Sequence, residues 1–396
     1  MSIKRSGSIV VFALMMLSLI AIITQQLLKS SMVGSKFVKT MVDREHAEML
    51  ALGGINVAIA QLNNGIVAAK AVAVRGAAAR EGRDETAQEA RDEKKENPMQ
   101  AFILHLLLHL NRWQDFDLDY KNDGVEGKVS ICISSEHGKI NINEVFDFKK
   151  QVFKKEYEAI LKSLEIPGII TGAEFLKRLE DFFKKRSKKI YDITELSVAL
   201  GLDNLNVFYQ PPAKPAKRGA GEPNKDVFLA DIFTVCTHDA TIDPLVFSDS
   251  IRAIFGLQRV RANDASLLQE DVKKIAEEFK PQGSQDWNAH WNLLQPLYGE
   301  KPKVFDVLKD IFSKSFTSKV YSVLSYAKVG SVEQRVYAIV QEFQDPAPEK
   351  DKKEQDKNKE QDVPNADVGD EKKDNTREKK QEERKKYFKV MKIYWL

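Results

Sequence analysis

Cysteine is nearly absent: Cys132 and Cys236 are the two in 396 residues. That excludes a disulfide-stapled scaffold, and two cysteines by themselves cannot build a zinc knuckle. Each sits in a strand-like run, so two buried thiols are the simpler reading, while a Cys132–Cys236 disulfide stays open because sequence does not give the Cα separation it needs. An excess of one charge is also lacking. Lys and Arg total 61 against 58 Asp and Glu, a net +3, and the two signs are interleaved, so no nucleic-acid partner is expected. No G-x-S-x-G, no P-loop and no G-x-G-x-x-G occurs. Hydrolase, nucleotide and dinucleotide chemistry therefore have no motif to rest on, and the chain is not expected to be an enzyme.

What the chain does have is concentrated at its start. Lys4-Arg5-Ser6-Gly7 precedes an apolar run from Ile9 to Leu17 that continues through Ile23. About 20 mostly apolar residues at roughly 1.5 Å each are long enough to cross a bilayer core of about 30 Å. An ordinary secretory signal would end in an A-x-A-like site, and Ala21-Ile22-Ile23-Thr24 offers none. A plain signal anchor stays open, with Lys4 and Arg5 holding the N-terminus in the cytoplasm. Past Leu28, Val33, Phe37, Val38, Met41, Val42, Met49, Leu52, Ile55, Ile59 and Leu62 recur at helical spacing among charged residues. One helix is expected from the membrane to Asn63-Asn64-Gly65, apolar all round in its first half and amphipathic in its second.

Downstream, Val129–Ser134 alternates as a strand, and Glu136-His137-Gly138-Lys139 reads as a turn into Ile140-Asn141-Ile142-Asn143. Between Lys149 and Lys314 the spacing is helical, with apolar stripes such as Phe153, Tyr157, Ile160, Leu161 and Leu164, or Phe175, Leu176, Leu179, Phe182 and Phe183. These aromatic stripes read as core. Residues 210–226, with Pro211, Pro212, Pro215 and Pro223, read as a loop. Residues 345–386 are nearly devoid of apolar side chains and read as a disordered charged insertion. Strands are expected on both sides of it, from Ser331 to Phe343 and from Tyr387 to Leu396, because loop closure grows only slowly with length.

Two patterns in the sequence have metal-ligand spacing. His105 and His109 stand four apart on a Leu-rich helix, but no Glu completes an H-E-x-x-H, so a packed helix is expected. Asp115, Asp117 and Asp119, followed by Asn122-Asp123-Gly124, evoke a calcium loop. The sixth position of such a loop is Gly, and here it is Tyr120. No metal or cofactor is expected, and these three acids are the calcium candidates.

A basic leader ending in Gly before an apolar helix, together with the Gly138-Lys139-Ile140-Asn141-Ile142-Asn143 turn, resembles the type IV pilin and pseudopilin family. The segments Asp192–Leu202, Leu229–Val235 and Phe316–Val323 add, in matching order, a resemblance to the K-type minor pseudopilin of the type II secretion system (general secretion pathway protein K). The resemblance implies that a prepilin peptidase cuts between Gly7 and Ser8 and methylates Ser8. It also implies that Asn141 and Asn143 tie the chain entering a helical domain. Phe12 stands where most of the family has Glu, and the family's usual exception is that K-type subunit, at the filament tip. Two segments depart from the family pattern: His238–Pro244 replaces an Asn-rich turn, and Leu179–Lys185 replaces an acidic helix, which weakens the calcium implication.

The expected fold is α+β: a long transmembrane and amphipathic N-terminal helix, a small antiparallel pilin-like sheet and a large inserted all-α domain. In chain order this gives leader 1–7, stem helix 8–64, flexible Ala- and charge-rich arm 65–98, first sheet part 99–148, inserted domain 149–315, and last sheet part 316–344 with 387–396. The resemblance implies a tip subunit, single-pass in a bacterial inner membrane with its soluble part in the periplasm. Its implied partners are the other minor pseudopilins, the major pseudopilin, the prepilin peptidase, the inner-membrane secretion platform and membrane lipid. A minor pilin of a type IV pilus or DNA-uptake filament, and a signal-anchored periplasmic binding protein, are the alternatives.

Overall fold

In a computed structural model the described residues are 6–81, 98–164, 170–186, 188–202, 207–212, 227–237, 239–257, 270, 272–275, 287–299, 301–302, 305–314, 316, 318–345 and 386–396. Helix α1, Ser6–Glu81, is continuous. It is followed by α2 (Pro98–His109), β1 (Trp113–Leu118), the short α3 (Tyr120–Asp123) and β2 (Gly127–Ser135). The chain then leaves for the inserted domain and returns in β7 (Val320–Val329), β8 (Val332–Gln344) and β9 (Lys386–Trp395). These strands form one antiparallel sheet in the order β1-β2-β7-β8-β9. The fold is the expected α+β one, with α1 laid along the sheet.

Small residues let helix and sheet approach closely. Ala47, Ala51, Ile55, Ala58, Leu62 and Ile66 form one buried stripe at intervals of three and four, which is the period of a single helix face. Gly54 lies on the same side. A Cβ there would sit 2.2 Å from Ser325 Oγ and 2.9 Å from Ile131 Cγ2, so only glycine fits against β7 and β2.

Asn63-Asn64-Gly65 does not stop α1, and residues 65–81 are helix rather than a flexible arm. The reason is tertiary. Asn63 Oδ1 accepts from the Phe388 backbone N–H at 2.9 Å, so its side chain binds β9 instead of capping its own helix. A Cβ on Gly65 would lie 2.8 Å from the His105 ring, so α2 packs over this turn. The Ala-rich sequence that follows favours helix intrinsically. The rest of the expected arm, 82–97, lies outside the described residues.

β8 and β9 pair antiparallel across the charged tract, with a bulge at Ile339/Val340. Residues 346–385 of that tract lie outside the described residues, as do 213–226 of the expected loop and His238. The inserted domain between Ser135 and Val320 holds α4 (Lys155–Ser163), α5 (Gly172–Arg186), α6 (Glu195–Leu200), α7 (Leu229–Ile232), α8 (Asp249–Ile254) and the helix Trp287–Tyr298. It adds two pairings too short to show as alternation in sequence. β3 (Ile140–Asn141) runs parallel to β6 (Phe233–Thr234), and β4 (Phe146–Asp147) is antiparallel to β5 (Val152–Phe153). Phe146, Phe153 and Phe183 form one ring cluster, with Phe146 and Phe183 stacked at 5.1 Å.

Candidate assembly stem and the buried turn beneath the inserted domain

From Val10 to Val42, α1 covers no part of its apolar surface: Phe12 is 64% exposed, and Leu17, Leu27 and Met41 are likewise exposed. Among the described residues it is the one helix long and apolar enough to cross a membrane. No charged residue falls between Ser6 and Leu28. Within its apolar run Ser18 Oγ donates to Met15 O and Thr24 Oγ1 to Ile20 O, both at 2.8 Å. Hydroxyls bonded back to their own helix in this way suit a medium without water. Gly7 and Ser8 stand in the first turn of α1, with their side chains outside the described set.

The Gly138–Asn143 segment lies at the root of the inserted domain, where β2 ends. A Cβ on Gly138 would meet Val246 O at 1.8 Å, so this glycine lets the chain pass directly against the loop before α8. Lys139 is almost wholly buried, and Nζ donates to Glu136 Oε1 at 2.5 Å and to Ala230 O and Ser322 Oγ at 2.8 Å. Glu136 Oε2 in turn accepts from Thr234 Oγ1 at 2.5 Å. A buried ion pair is tolerated when its remaining donors and acceptors are also bonded. Here the lysine spends its three protons on the turn, the inserted domain and the sheet.

The two asparagines extend this root. Asn141 Nδ2 donates to Thr237 O at 2.6 Å, and Asn141 Oδ1 accepts from Asn143 N at 3.0 Å. Asn143 holds Ile190 at both ends, donating to its O at 2.8 Å and accepting from its N at 2.6 Å. Such a two-bond clasp imitates a strand ladder at a single residue. Each asparagine thus ties the entering chain to a distant part of the inserted domain.

A second tie was not legible in the sequence. Asp192 Oδ2 accepts from Lys392 Nζ and, at 3.1 Å, from Tyr394 Oη, so β9 clamps the inserted domain from the other side. Burial pulls the Asp192 carboxyl upward, but hydrogen bonds from Lys392 and Thr194 outweigh it and hold the group below its ordinary value. A third buried group lies in the segment that departs from the family turn. Asp243 Oδ1 accepts from Leu245 N at 3.0 Å, its N–H donates to His137 O at 2.7 Å, and Oδ2 has no partner. Burial pushes this carboxyl up to about 7.

The other sequence candidates are placed elsewhere. Asp115 pairs with Lys128 Nζ and Ser130 Oγ, each at 2.7 Å, and Asp119 caps α3 through Lys121 N at 2.9 Å. Asp117 is an exposed residue of β1. The three acids are not brought together, and no group of three metal-ligating side chains occurs among the described residues. His105 Nε2 bonds Gln61 O at 2.8 Å, and His109 Nδ1 bonds His105 O at 2.7 Å, so both imidazoles serve packing. Cys132 in β2 and Cys236 after β6 are not joined in a disulfide, and burial pushes the Cys236 thiol up to about 12.

No family model matches the chain, and no curated protein matches it. A chain of the crystal structure of the GspK-GspI-GspJ complex from the enterotoxigenic Escherichia coli type 2 secretion system is similar to it. That likeness has 11% identity and a TM-score of 0.37, and it covers 77% of this chain and 93% of that chain.

Proposed function

We propose that this protein is a non-catalytic assembly subunit: a minor pseudopilin of a type II secretion system, of the K type. The observation that carries the reading is the single helix α1, apolar through Leu28, bare to Val42 and packed on the sheet from Ala47 onward. A stem of that kind anchors its subunit in lipid and then packs among like helices in a filament, exchanging one apolar medium for another. The leader is cut after Gly7 by a prepilin peptidase, which also methylates Ser8. The anchor lies in a bacterial inner membrane, N-terminus cytoplasmic, with the sheet and inserted domain in the periplasm.

Phe12 supports the tip position. In the family a Glu at this place pairs with the terminal amine of the subunit ahead, and a carboxylate in hydrocarbon costs several kcal/mol without such a partner. A subunit with none ahead is better served by an apolar side chain. The inserted domain, rooted by Lys139, Asn141 and Asn143, adds bulk that a filament shaft cannot repeat at every position. Its role there is to initiate and cap the filament with the other minor and the major pseudopilins.

Co-purification from detergent-solubilised membranes tests the assignment. Minor pseudopilins and the secretion platform are expected with the protein, and isolation with type IV pilus subunits alone would contradict the secretion reading.

A further inference from the structure

The C-terminal strand β9 touches the sheet, the stem and the inserted domain, and one extra residue lets it do so. It pairs along β8 from Gln344↔Lys386 to Val336↔Trp395, so Gln344 and Lys386 lie side by side although residues 345–385 separate them in sequence. Residues paired across neighbouring strands share a face of the sheet. Val336 and Val340 lie on the stem's face, because Val336 is the partner of Ser325, whose Oγ sits over Gly54 of α1. Tyr337 and Ile339 lie on the opposite face, where the Tyr337 ring meets Tyr209 of the inserted domain at 5.0 Å. In an unbroken strand Phe388, Val390, Lys392 and Tyr394 would all take one face, since side chains alternate with a period of two. They do not. The bulge pairs Val390 with Val340 but Lys392 with Ile339, which leaves Met391 as the extra residue, 54% exposed.

Each half of β9 therefore grips a different body. Before the bulge, Phe388 is buried, its ring stands 5.4 Å from that of Tyr321, and its N–H donates to Asn63 Oδ1 of the stem at 2.9 Å. Lys386 Nζ pairs with Glu342 at 3.1 Å. After the bulge, Lys392 Nζ and Tyr394 Oη both donate to Asp192 Oδ2 of the inserted domain, and the Tyr394 ring lies 5.8 Å from that of Tyr337. The Leu396 N–H ends the strand on Arg335 O at 3.1 Å. A buried aromatic anchor, backbone pairing along β8 and two donors on one carboxylate are contacts of the kind by which a sheet edge recognises an extended peptide. We infer that residues 386–396 are a clip that occupies its site as a peptide ligand does, held by its own side chains and not by its chain connection. The Met391 bulge sends its two halves to opposite faces, so that one strand fastens the stem to the inserted domain.

Cutting the connection tests this. A sequence-specific protease site placed within residues 346–385 is cleaved in the folded full-length protein in detergent, and the cut protein is run on a sizing column at micromolar concentration. The C-terminal fragment is expected to stay with the body, and its loss from the wild-type strand on cutting would overturn the clip. Phe388→Ala, which removes the grip beside the stem, should speed release of the fragment by roughly tenfold or more. Lys392→Met with Tyr394→Phe, which removes the grip on Asp192, should do the same, while Met391→Ala should leave release unchanged. Release as slow from both grip variants as from wild type would mean that backbone pairing alone holds the strand, and would overturn the proposal. Should a variant fail to fold, synthetic peptides decide the matter on the cut wild-type protein. Excess peptide 386–396 is then expected to displace the fragment, and the same peptide carrying Phe388→Ala to displace it roughly tenfold less well; equal displacement by the two would overturn the clip.

Discussion

The two halves of α1 have the same backbone and opposite surroundings. From Val10 to Val42 large apolar side chains point outward on every side, and from Ala47 to Ile66 one narrow stripe of mostly small residues is buried against the sheet. The difference shows that apolar content and burial are separate properties of a helix. The packed half needs small residues because it meets a sheet whose positions are already filled. The bare half carries Leu, Met, Ile and Phe, and the lipid or helical surroundings proposed for it would tolerate that bulk. Stability of the folded body should therefore depend on the packed half and its surroundings, while assembly should depend on the bare half.

The largest effect expected within the packed body is at Lys139. Lys139→Ala leaves Glu136 buried without its cation, and breaking such a pair costs about 3–5 kcal/mol. Chemical denaturation of the mutant should show it, and a loss under about 1 kcal/mol would mean the ion pair is not buried as described. Gly54→Leu forces a side chain into space held by Ser325 and Ile131. Overpacking of this kind costs about 1–3 kcal/mol, measurable as a lower denaturation midpoint with an unchanged slope.

Asp243 sharpens the same contrast through pH. Its folded pKa of about 7 lies above its ordinary value of 3.8, so the folded state holds a proton that the unfolded state releases. Its contribution to stability is full below the unfolded value and is lost as pH rises through about 7. Asp243→Asn should flatten the stability profile between these limits, and an unchanged slope would show that Asp243 does not titrate there. The smallest effect is predicted in the bare half. Phe12→Ala should change the unfolding free energy of the folded body by less than about 0.5 kcal/mol, and a larger loss would break the comparison.

Much of this organisation was legible in the sequence for physical reasons. The stem showed because lipid-compatible length and apolar content are local properties. β2, β8 and β9 showed because apolar and polar residues alternate in their sequences, although β2 and the middle of β8 are buried on both faces. The β8–β9 pairing was readable across the charged tract because a long connection adds little closure entropy. What escaped depended on contacts between distant residues. Asn63 looked like a helix stop until Phe388 supplied the donor that occupies it. β4 and β5 are two residues each, too short for any periodic signal. Asp243 carries no local motif that marks it as buried, and nothing local marks Asp192 as the partner of Lys392 and Tyr394. Asn141 and Asn143 were visible through resemblance alone. Their hydrogen bonds to Thr237 and Ile190 supply the physical reason for asparagine at both places.

The bare half of α1 has one direct test, the chemistry of its N-terminus in cells with an active prepilin peptidase. Intact-mass and N-terminal peptide mass spectrometry should find a chain beginning at a methylated Ser8. A chain that keeps Met1 to Gly7 would contradict the assembly stem and leave a permanent membrane anchor in its place.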